Sequence, residues 1–192
     1  PEAGFDVIPA NADLTAAEVE LVTASVREHR LRDALARVKH EYDYALIDCP
    51  PSLSMLPVNA LVAADSVLIP VQCEYYALKG LSSLLNTVTR VQKMLNPQLR
   101  IEGLLRTMYD ARNSLTNDVS MQLIGHFGSR VYATLIPRNV RLAEAPSHGK
   151  PALVYDAASR GAIAYLAAAS EMPALRICWS RSITHRRTHG RR

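Results

Sequence analysis

Short apolar runs alternate along this chain with longer segments in which apolar residues recur at helical spacing. Residues 66–71 and 98–105 are short and largely apolar, which is typical of strands buried inside a sheet. Between them, residues 77–94 carry apolar positions at helical period, and Asn96 and Pro97 follow as a stop signal. The pattern therefore predicts a strand, a helix and a second strand, in this order.

The first forty residues are predicted to hold a strand and a long helix. Residues 5–8 form a short apolar run that Pro9 ends. Thr15 and Glu18 have the spacing of a capping box, in which each side chain accepts a hydrogen bond from an amide at the start of a helix. Apolar positions then recur at helical period as far as about residue 39.

A further apolar run, residues 44–47, ends in Asp48, and Pro50 excludes a helix there. We predict a buried strand with a carboxylate at its C-terminal end. In nucleotide hydrolases a carboxylate at this place holds the shell of a magnesium ion, usually through water. Asp48 could equally cap the turn that Pro50 and Pro51 begin, and the residues alone leave both interpretations open.

Helical spacing also covers residues 114–127 and 159–171. Buried strands that alternate with helices predict an α/β fold, with a mostly parallel, doubly wound sheet and helices on both faces. In such sheets ligands bind at the carboxyl ends of the strands. We expect one domain over residues 1–172 and a separate tail over residues 173–192, where the pattern ends.

The composition, with 48% apolar and 21% charged residues, is that of an ordinary globular protein. No apolar run approaches the roughly 20 residues of a membrane-spanning helix, so we expect no membrane association. The three cysteines, Cys49, Cys73 and Cys178, form no C-x-x-C pair. This pattern favours a reducing cytoplasm over a disulfide scaffold.

The positive net charge of +4 comes from the tail. Six of the 22 basic residues follow Ala174 with no acid among them, which leaves 16 basic against 18 acidic residues in the remainder. The tail has two interpretations. It is either a basic arm for DNA or an anionic membrane surface, with Trp179 as an anchor, or a disordered or non-native extension without a helical stripe.

Three long strings resemble the ParA/Soj family of partitioning ATPases, in the order in which that family has them. Residues 42–53 (YDYALIDCPPSL) resemble its Walker B and switch II segment. Residues 67–81 (VLIPVQCEYYALKGL) resemble the next strand, loop and helix start, and residues 136–151 (IPRNVRLAEAPSHGKP) resemble its C-terminal signature. The chain is thereby identified as a member of this family, within the MinD/ParA group of deviant Walker A proteins, over residues 5–171.

The resemblance implies a P-loop NTPase-like fold that uses ATP and magnesium. In the family a loop of the form Lys-Gly-Gly-Val-Gly-Lys-Thr-Thr wraps the phosphates, and an Asp-x-Asp-Pro-Gln segment supplies the acid that positions water. Neither motif occurs in this sequence. Because loop amides and a lysine carry most of the phosphate binding, we expect an N-terminally truncated chain that binds no nucleotide by itself and is inactive alone.

The resemblance also assigns residues to the nucleotide site. It implies that Asp48 is the magnesium-associated acid, and that Thr107, Met108, Pro137 and Arg138 form walls of the adenine pocket. Thr107 and Met108, expected just past the end of a strand, have plain packing and turn formation as their alternative role.

The resemblance further implies an ATP-dependent homodimer that binds nonspecific DNA on the nucleoid, through Arg112 and Arg141. A ParB-like centromere-binding partner would stimulate hydrolysis and release it. Isolated surface arginines are otherwise simply solvated. A second hypothesis is a nucleotide-independent module that binds DNA or a partner, which the missing loop favours for this chain.

Overall fold

The computed structural model describes residues 5–50, 54–75 and 77–172. The tail predicted over residues 173–192, with its arginines and Trp179, lies outside the described residues. Two compact units divide the chain and are described separately. The first comprises residues 1–67 and 83–100, and the second comprises residues 68–82 and 101–192.

Most of the regular secondary structure in the described part of the first unit is helical. Its α-helices are α1 (Ala12–Thr23), α2 (Arg30–Leu35), α3 (Met55–Ala63) and the part of α4 (Ala77–Met94) that follows Ser82. The helix predicted over residues 77–94 is confirmed. The sequence pattern did not predict α3.

The predicted N-terminal helix is shorter and starts earlier than expected. Asn11 caps α1, because its side-chain oxygen accepts the amide hydrogen of Asp13 at 3.0 Å, so the capping box predicted at Thr15 is wrong. The helix does not run to residue 39. Val26 adopts a left-handed conformation with φ of 53°, which ends the helical path before α2 begins.

A buried asparagine joins the corner between α1 and α2 to α3. Asn59 donates to the carbonyl oxygens of Arg27 at 2.9 Å and Met55 at 3.0 Å. Its own oxygen accepts the amide hydrogen of Leu31 at 3.2 Å. All the hydrogen-bonding groups of one carboxamide therefore hold this corner in place.

The strands predicted at residues 5–8 and 44–47 are wrong. Both segments lack strand structure, and Ile8 and Leu46 are 89% and 91% exposed. A strand exists only where a neighbouring strand accepts its backbone hydrogen bonds. No strand among the described residues pairs with either segment, so the apolar run is not buried.

The second unit contains a three-stranded sheet in the order β1–β2–β3. The strands are β1 (Ser66–Gln72, within this unit from Leu68), β2 (Arg100–Tyr109, within this unit from Ile101) and β3 (Val131–Pro137). The first two confirm the predicted runs, with β2 extending four residues further than expected. The sequence pattern did not predict β3.

In the described part of the second unit, four complete α-helices and the first turns of α4 accompany the sheet. The four complete helices are α5 (Ser114–Phe127), α6 (Val140–Glu144), α7 (Ala152–Tyr155) and α8 (Arg160–Glu171). The predictions at residues 114–127 and 159–171 are confirmed, with Ser159 as the cap of α8. None of the described helices has the length and apolarity needed to cross a bilayer.

Successive residues of β2 face different helices. Leu105 packs with Tyr132, Ile136 and Ala168 of α8. The next residue, Arg106, donates to Ser120 of α5 at 2.9 Å. Because adjacent strand residues point to opposite faces, α8 and α5 cover opposite faces of the sheet. This arrangement, with β2 and β3 parallel, confirms the α/β prediction.

Charged side chains of β2 and α8 hold an irregularity in the backbone of β3. Two residues of β2 span four residues of β3 between the register pairs Leu104–Val131 and Arg106–Leu135. Arg106 donates to the carbonyl oxygens of Tyr132 at 2.9 Å and Ala133 at 3.0 Å. Glu171 of α8 accepts the amide hydrogens of Ala133 and Thr134. The backbone groups that leave the ladder thus find charged partners.

Candidate functional site

A cavity of about 200 Å³ lies in the second unit, where all three strands end. This is the edge at which parallel α/β sheets place their ligands. It is lined by the end of β1 and the two residues after it, by the end of β2 and the residue that follows it, by the residue that follows β3, and by the start of α5. The lining residues are Gln72, Cys73, Glu74, Met108, Asp110, Asn113, Thr116 and Arg138.

The backbone at the edge of the cavity is irregular. Met108 has a positive φ of 53°, and the register of β2 against β3 shifts between Arg106 and Tyr109. Strain of this kind costs about 1–3 kcal/mol and persists only where surrounding contacts impose it. Here the amide of Arg138 donates to the carbonyl oxygen of Tyr109 at 3.0 Å and fastens the two strand ends together.

Two of the four predicted base-binding residues, Met108 and Arg138, line this cavity. Thr107 and Pro137 are half-buried and lie next to them in β2 and β3, outside the lining. The expectation that Thr107 and Met108 lie past the end of a strand is wrong. Both lie inside β2, because its pairing with β3 continues to Tyr109.

Asp48 belongs to the first unit and is exposed. Its predicted place at the tip of a buried strand is wrong, because residues 44–48 form no strand. Over the described ranges, no three His, Cys, Asp or Glu side chains come together as a metal site. A single carboxylate still fits a magnesium ion whose other ligands are phosphates and water.

The thiol of Cys73 gives the cavity a neutral wall. Burial raises the pKa of Cys73, although the nearby guanidinium of Arg106 acts in the opposite direction. The thiol is therefore protonated at neutral pH and behaves as a small apolar group.

Arg112, a predicted DNA contact, is bound to Asp110 of the cavity wall. Its Nε donates to Oδ1 at 3.0 Å and its terminal nitrogen to Oδ2 at 2.9 Å, a two-pronged pair. Hydrogen bonds from the Arg112 side chain and backbone lower the pKa of Asp110 to about 2. The carboxylate is therefore ionised throughout the neutral range.

Arg141, the second predicted DNA contact, also has acidic partners. Its guanidinium lies 3.0 Å from Glu144 and 3.5 Å from Asp156. Tyr155 donates to the same Glu144 oxygen at 3.3 Å, and the ring of His148 stacks on Tyr155 with centroids 4.8 Å apart. Both predicted DNA contacts are thus exposed arginines held by carboxylates.

Comparison with known proteins identifies the family. The family model of the AAA domain matches residues 2–101. Sporulation initiation inhibitor protein Soj of Bacillus subtilis is 60% identical over 170 residues, which cover 88% of this chain and 67% of the relative. Chromosome-partitioning ATPase Soj of Thermus thermophilus is 51% identical over 174 residues, 91% of this chain and 68% of the relative.

The chain belongs to the ParA/Soj family. It spans 64% of the length of an uncharacterized Pseudomonas putida protein that is 66% identical over 169 residues, so it corresponds to about two thirds of such proteins. The family membership predicted from the three sequence strings is confirmed.

A solved structure supports the P-loop NTPase-like fold of this ParA/Soj chain. Cobyrinic acid a,c-diamide synthase from Mycobacterium smegmatis, with bound ATP analogue and magnesium, superposes with a TM-score of 0.66 at 38% identity. The match covers 82% of this chain and 57% of the synthase. In that structure it is the synthase that holds an ATP analogue and magnesium.

Sequence reasoning missed several residues of the ParA/Soj cavity. It did not single out Asp110, Asn113 or Thr116, although Asn113 caps α5 by accepting the amide hydrogen of Leu115 at 3.0 Å. An Asn directly before a helical segment is a readable signal of such a cap. The Asp-x-Arg spacing of Asp110 and Arg112 could likewise have suggested their pairing.

Proposed function

We propose that this chain is part of a ParA/Soj-type ATPase of chromosome or plasmid partitioning, and that its cavity receives the adenine base of ATP. One observation carries the proposal: Met108 and Arg138, which the family resemblance assigns to the base and which lie 30 residues apart in the sequence, line one cavity at the carboxyl ends of the strands. The 51% identity to a chromosome-partitioning ATPase supports the same reaction.

The size and lining of the cavity suit a heterocycle. Its volume of about 200 Å³ is below the roughly 300 Å³ at which pockets for complete drug-sized ligands begin. The thioether of Met108 and the guanidinium of Arg138 are groups that pack favourably on aromatic faces. The amides of Gln72 and Asn113 can hydrogen-bond a ring nitrogen or an exocyclic amine.

The phosphates and magnesium would be held elsewhere. Asp48 is the acid proposed to hold magnesium through water, with phosphate oxygens as further ligands. The sequence contains no glycine-rich lysine loop to cradle a triphosphate. We therefore propose that, without such a loop, this chain binds no triphosphate by itself and is inactive, although its cavity can still receive the base, and that hydrolysis requires the loop.

Arg112 and Arg141 are proposed to contact the phosphates of nonspecific DNA in an ATP-dependent homodimer on the nucleoid. A ParB-like protein would stimulate its ATPase. Contacts of this kind read no base sequence and weaken as salt rises.

The test compares ATP turnover of this chain with that of a chain extended at its N-terminus by a segment carrying the family's glycine-rich lysine loop. We expect DNA-stimulated turnover only in the extended chain. Asp48→Asn in that chain should lower turnover by roughly 100-fold or more, because magnesium loses its protein carboxylate. Asp43→Asn, an equal charge change five residues away, should have little effect. An extended chain that folds but hydrolyses no ATP would refute the proposal.

The exposure of Asp48 and the absence of strand structure around it favour a second candidate. This is a nucleotide-independent module that binds DNA or a partner. Magnesium-ATP should then leave the melting temperature unchanged in both the chain and its extended form. A ligand present at 100 times its Kd would instead stabilise the folded state by about 2.7 kcal/mol.

A further inference from the structure

The Asp110–Arg112 pair is more constrained than an ordinary surface ion pair. Besides its two side-chain hydrogen bonds, Arg112 donates its backbone amide hydrogen to Asp110 Oδ1 at 3.1 Å. The Asp110 side chain is 28% exposed and faces the cavity, whereas the Arg112 side chain is 89% exposed. The carboxylate is thus fixed by the backbone, and the guanidinium is the partner free to leave.

A phosphate and the Asp110 carboxylate compete for the same face of the guanidinium. Both anions bind arginine through a fork of two parallel N–H donors. While Asp110 occupies the Nε side of Arg112, the carboxylate cancels the positive charge of the guanidinium. It also repels an approaching phosphate, because both groups are negative. The pair must open, or the carboxylate must lose its charge, before Arg112 can engage phosphate through that fork.

We propose that Asp110 is a positioning residue that restrains Arg112 and thereby lowers the affinity of the chain for DNA. This inference rests on the proposed role of Arg112 as a DNA contact. Asp110 touches no phosphate itself and acts only through the arginine. A residue of the cavity wall, Asp110, would therefore limit the affinity for DNA, although it is not itself a proposed DNA contact.

The first experiment measures the restraint without DNA. Hydrogen exchange of the Arg112 Nε–H with water is followed by NMR in the full chain and in Asp110→Asn. We expect exchange to be at least about fivefold slower in the unsubstituted chain, because its N–H is held by an ionised acceptor. Equal exchange in the two proteins would overturn the inference, whatever their behaviour toward DNA.

The second experiment measures the affinity of the N-terminally extended chain, with magnesium-ATP present, for a fluorescent duplex of mixed sequence at low salt. Asp118→Asn is the matched control, because Asp118 is exposed in α5 and forms no ion pair with another described residue. Both substitutions remove one negative charge. We expect Asp110→Asn to tighten binding about fivefold or more, and Asp118→Asn to tighten it by about twofold or less.

A double-mutant cycle assigns the gain to Arg112. Adding Arg112→Ala should abolish the gain of Asp110→Asn, because the two residues act as one unit. A gain that survives Arg112→Ala, or one no larger than that of Asp118→Asn, would overturn the inference while leaving DNA binding intact. If Arg112→Ala leaves the affinity of both Asp110 backgrounds unchanged, the proposed DNA contact itself is wrong and the inference falls with it.

Discussion

Two apolar runs that look alike in the sequence have opposite fates in the structure. Residues 44–47 are exposed and form no strand, with Leu46 91% exposed, whereas β1 (Ser66–Gln72) is a strand in which Ile69 is buried. The two runs differ in whether a neighbouring strand is present. β1 lies beside β2 in the sheet, whereas no described strand pairs with residues 44–47. An apolar run therefore predicts a tendency to be buried, and the neighbouring backbone decides the outcome.

Local stability should differ most between these regions. The backbone amide hydrogen of Leu104, in the central strand β2, should exchange with solvent at least roughly 1,000-fold more slowly than that of Leu46. At Leu104, exchange requires the sheet to open. Hydrogen exchange resolved by NMR measures both in one sample. Comparable protection at the two leucines would show that residues 44–47 are structured after all and would remove the contrast.

A matched pair of leucine truncations tests the same contrast as a free energy of unfolding. Leu104 is fully buried, so Leu104→Ala should destabilise the chain by about 2–5 kcal/mol. Leu46→Ala should change the free energy by less than about 0.5 kcal/mol. Urea unfolding measures both. A large loss at Leu46 would mean that this side chain packs in solution.

A matched pair of glycines sharpens the comparison inside the second unit. A Cβ at Gly103 in β2 would lie within 3 Å of the Tyr132 ring and of the Arg130 carbonyl oxygen, whereas one at Gly125 in α5 meets nothing within 4 Å. Gly103→Ala should therefore destabilise by about 1–3 kcal/mol, and Gly125→Ala should stabilise by up to about 1 kcal/mol. Thermal unfolding gives both signs, and two changes of the same sign would contradict the packing described.

The smallest effect concerns ion pairs of the two units at low pH. The pKa of Asp110 is lowered from 3.8 to about 2, so its pairing stabilises the fold fully above pH 4 and loses this effect as pH falls toward 2. The difference in urea midpoint between the chain and Asp110→Asn should shrink over this window. Asp33→Asn, at the exposed Arg32–Asp33 pair of the first unit, should change the midpoint little at any pH. A difference that persists to pH 2 would contradict the assignment.

The predictions from sequence succeeded where the local pattern of apolar and turn residues indicates the same element that the tertiary contacts stabilise. Helices over residues 77–94 and 114–127 carry both a periodic apolar face and turn residues at their ends, and both were predicted within a residue. The break at Val26 was not predictable, because a valine with positive φ contradicts its own preference. The strand β3 was missed because its pairing partner lies 27 residues earlier, at Leu104.

The candidate site was predicted in part, for a similar reason. The family resemblance assigned Met108 and Arg138 to the base, and the fold brings them together in one cavity. The resemblance did not point to Asp110 or Thr116, because their place in the cavity follows from the convergence of β2 and α5. The placement of Asp48 at a strand end failed because a strand requires a partner that the described residues do not supply.

The central claim is that the cavity binds the adenine base. The most direct test is a titration of the 192-residue chain with adenosine, followed by NMR. Because adenosine has no phosphates, its binding does not depend on the glycine-rich lysine loop that this sequence does not contain. We predict saturable shifts of the backbone amides of Cys73, Asp110 and Arg138 at millimolar adenosine, the weak affinity expected of a small fragment. Shifts absent up to about 10 mM, or confined to residues outside the cavity, would contradict the account.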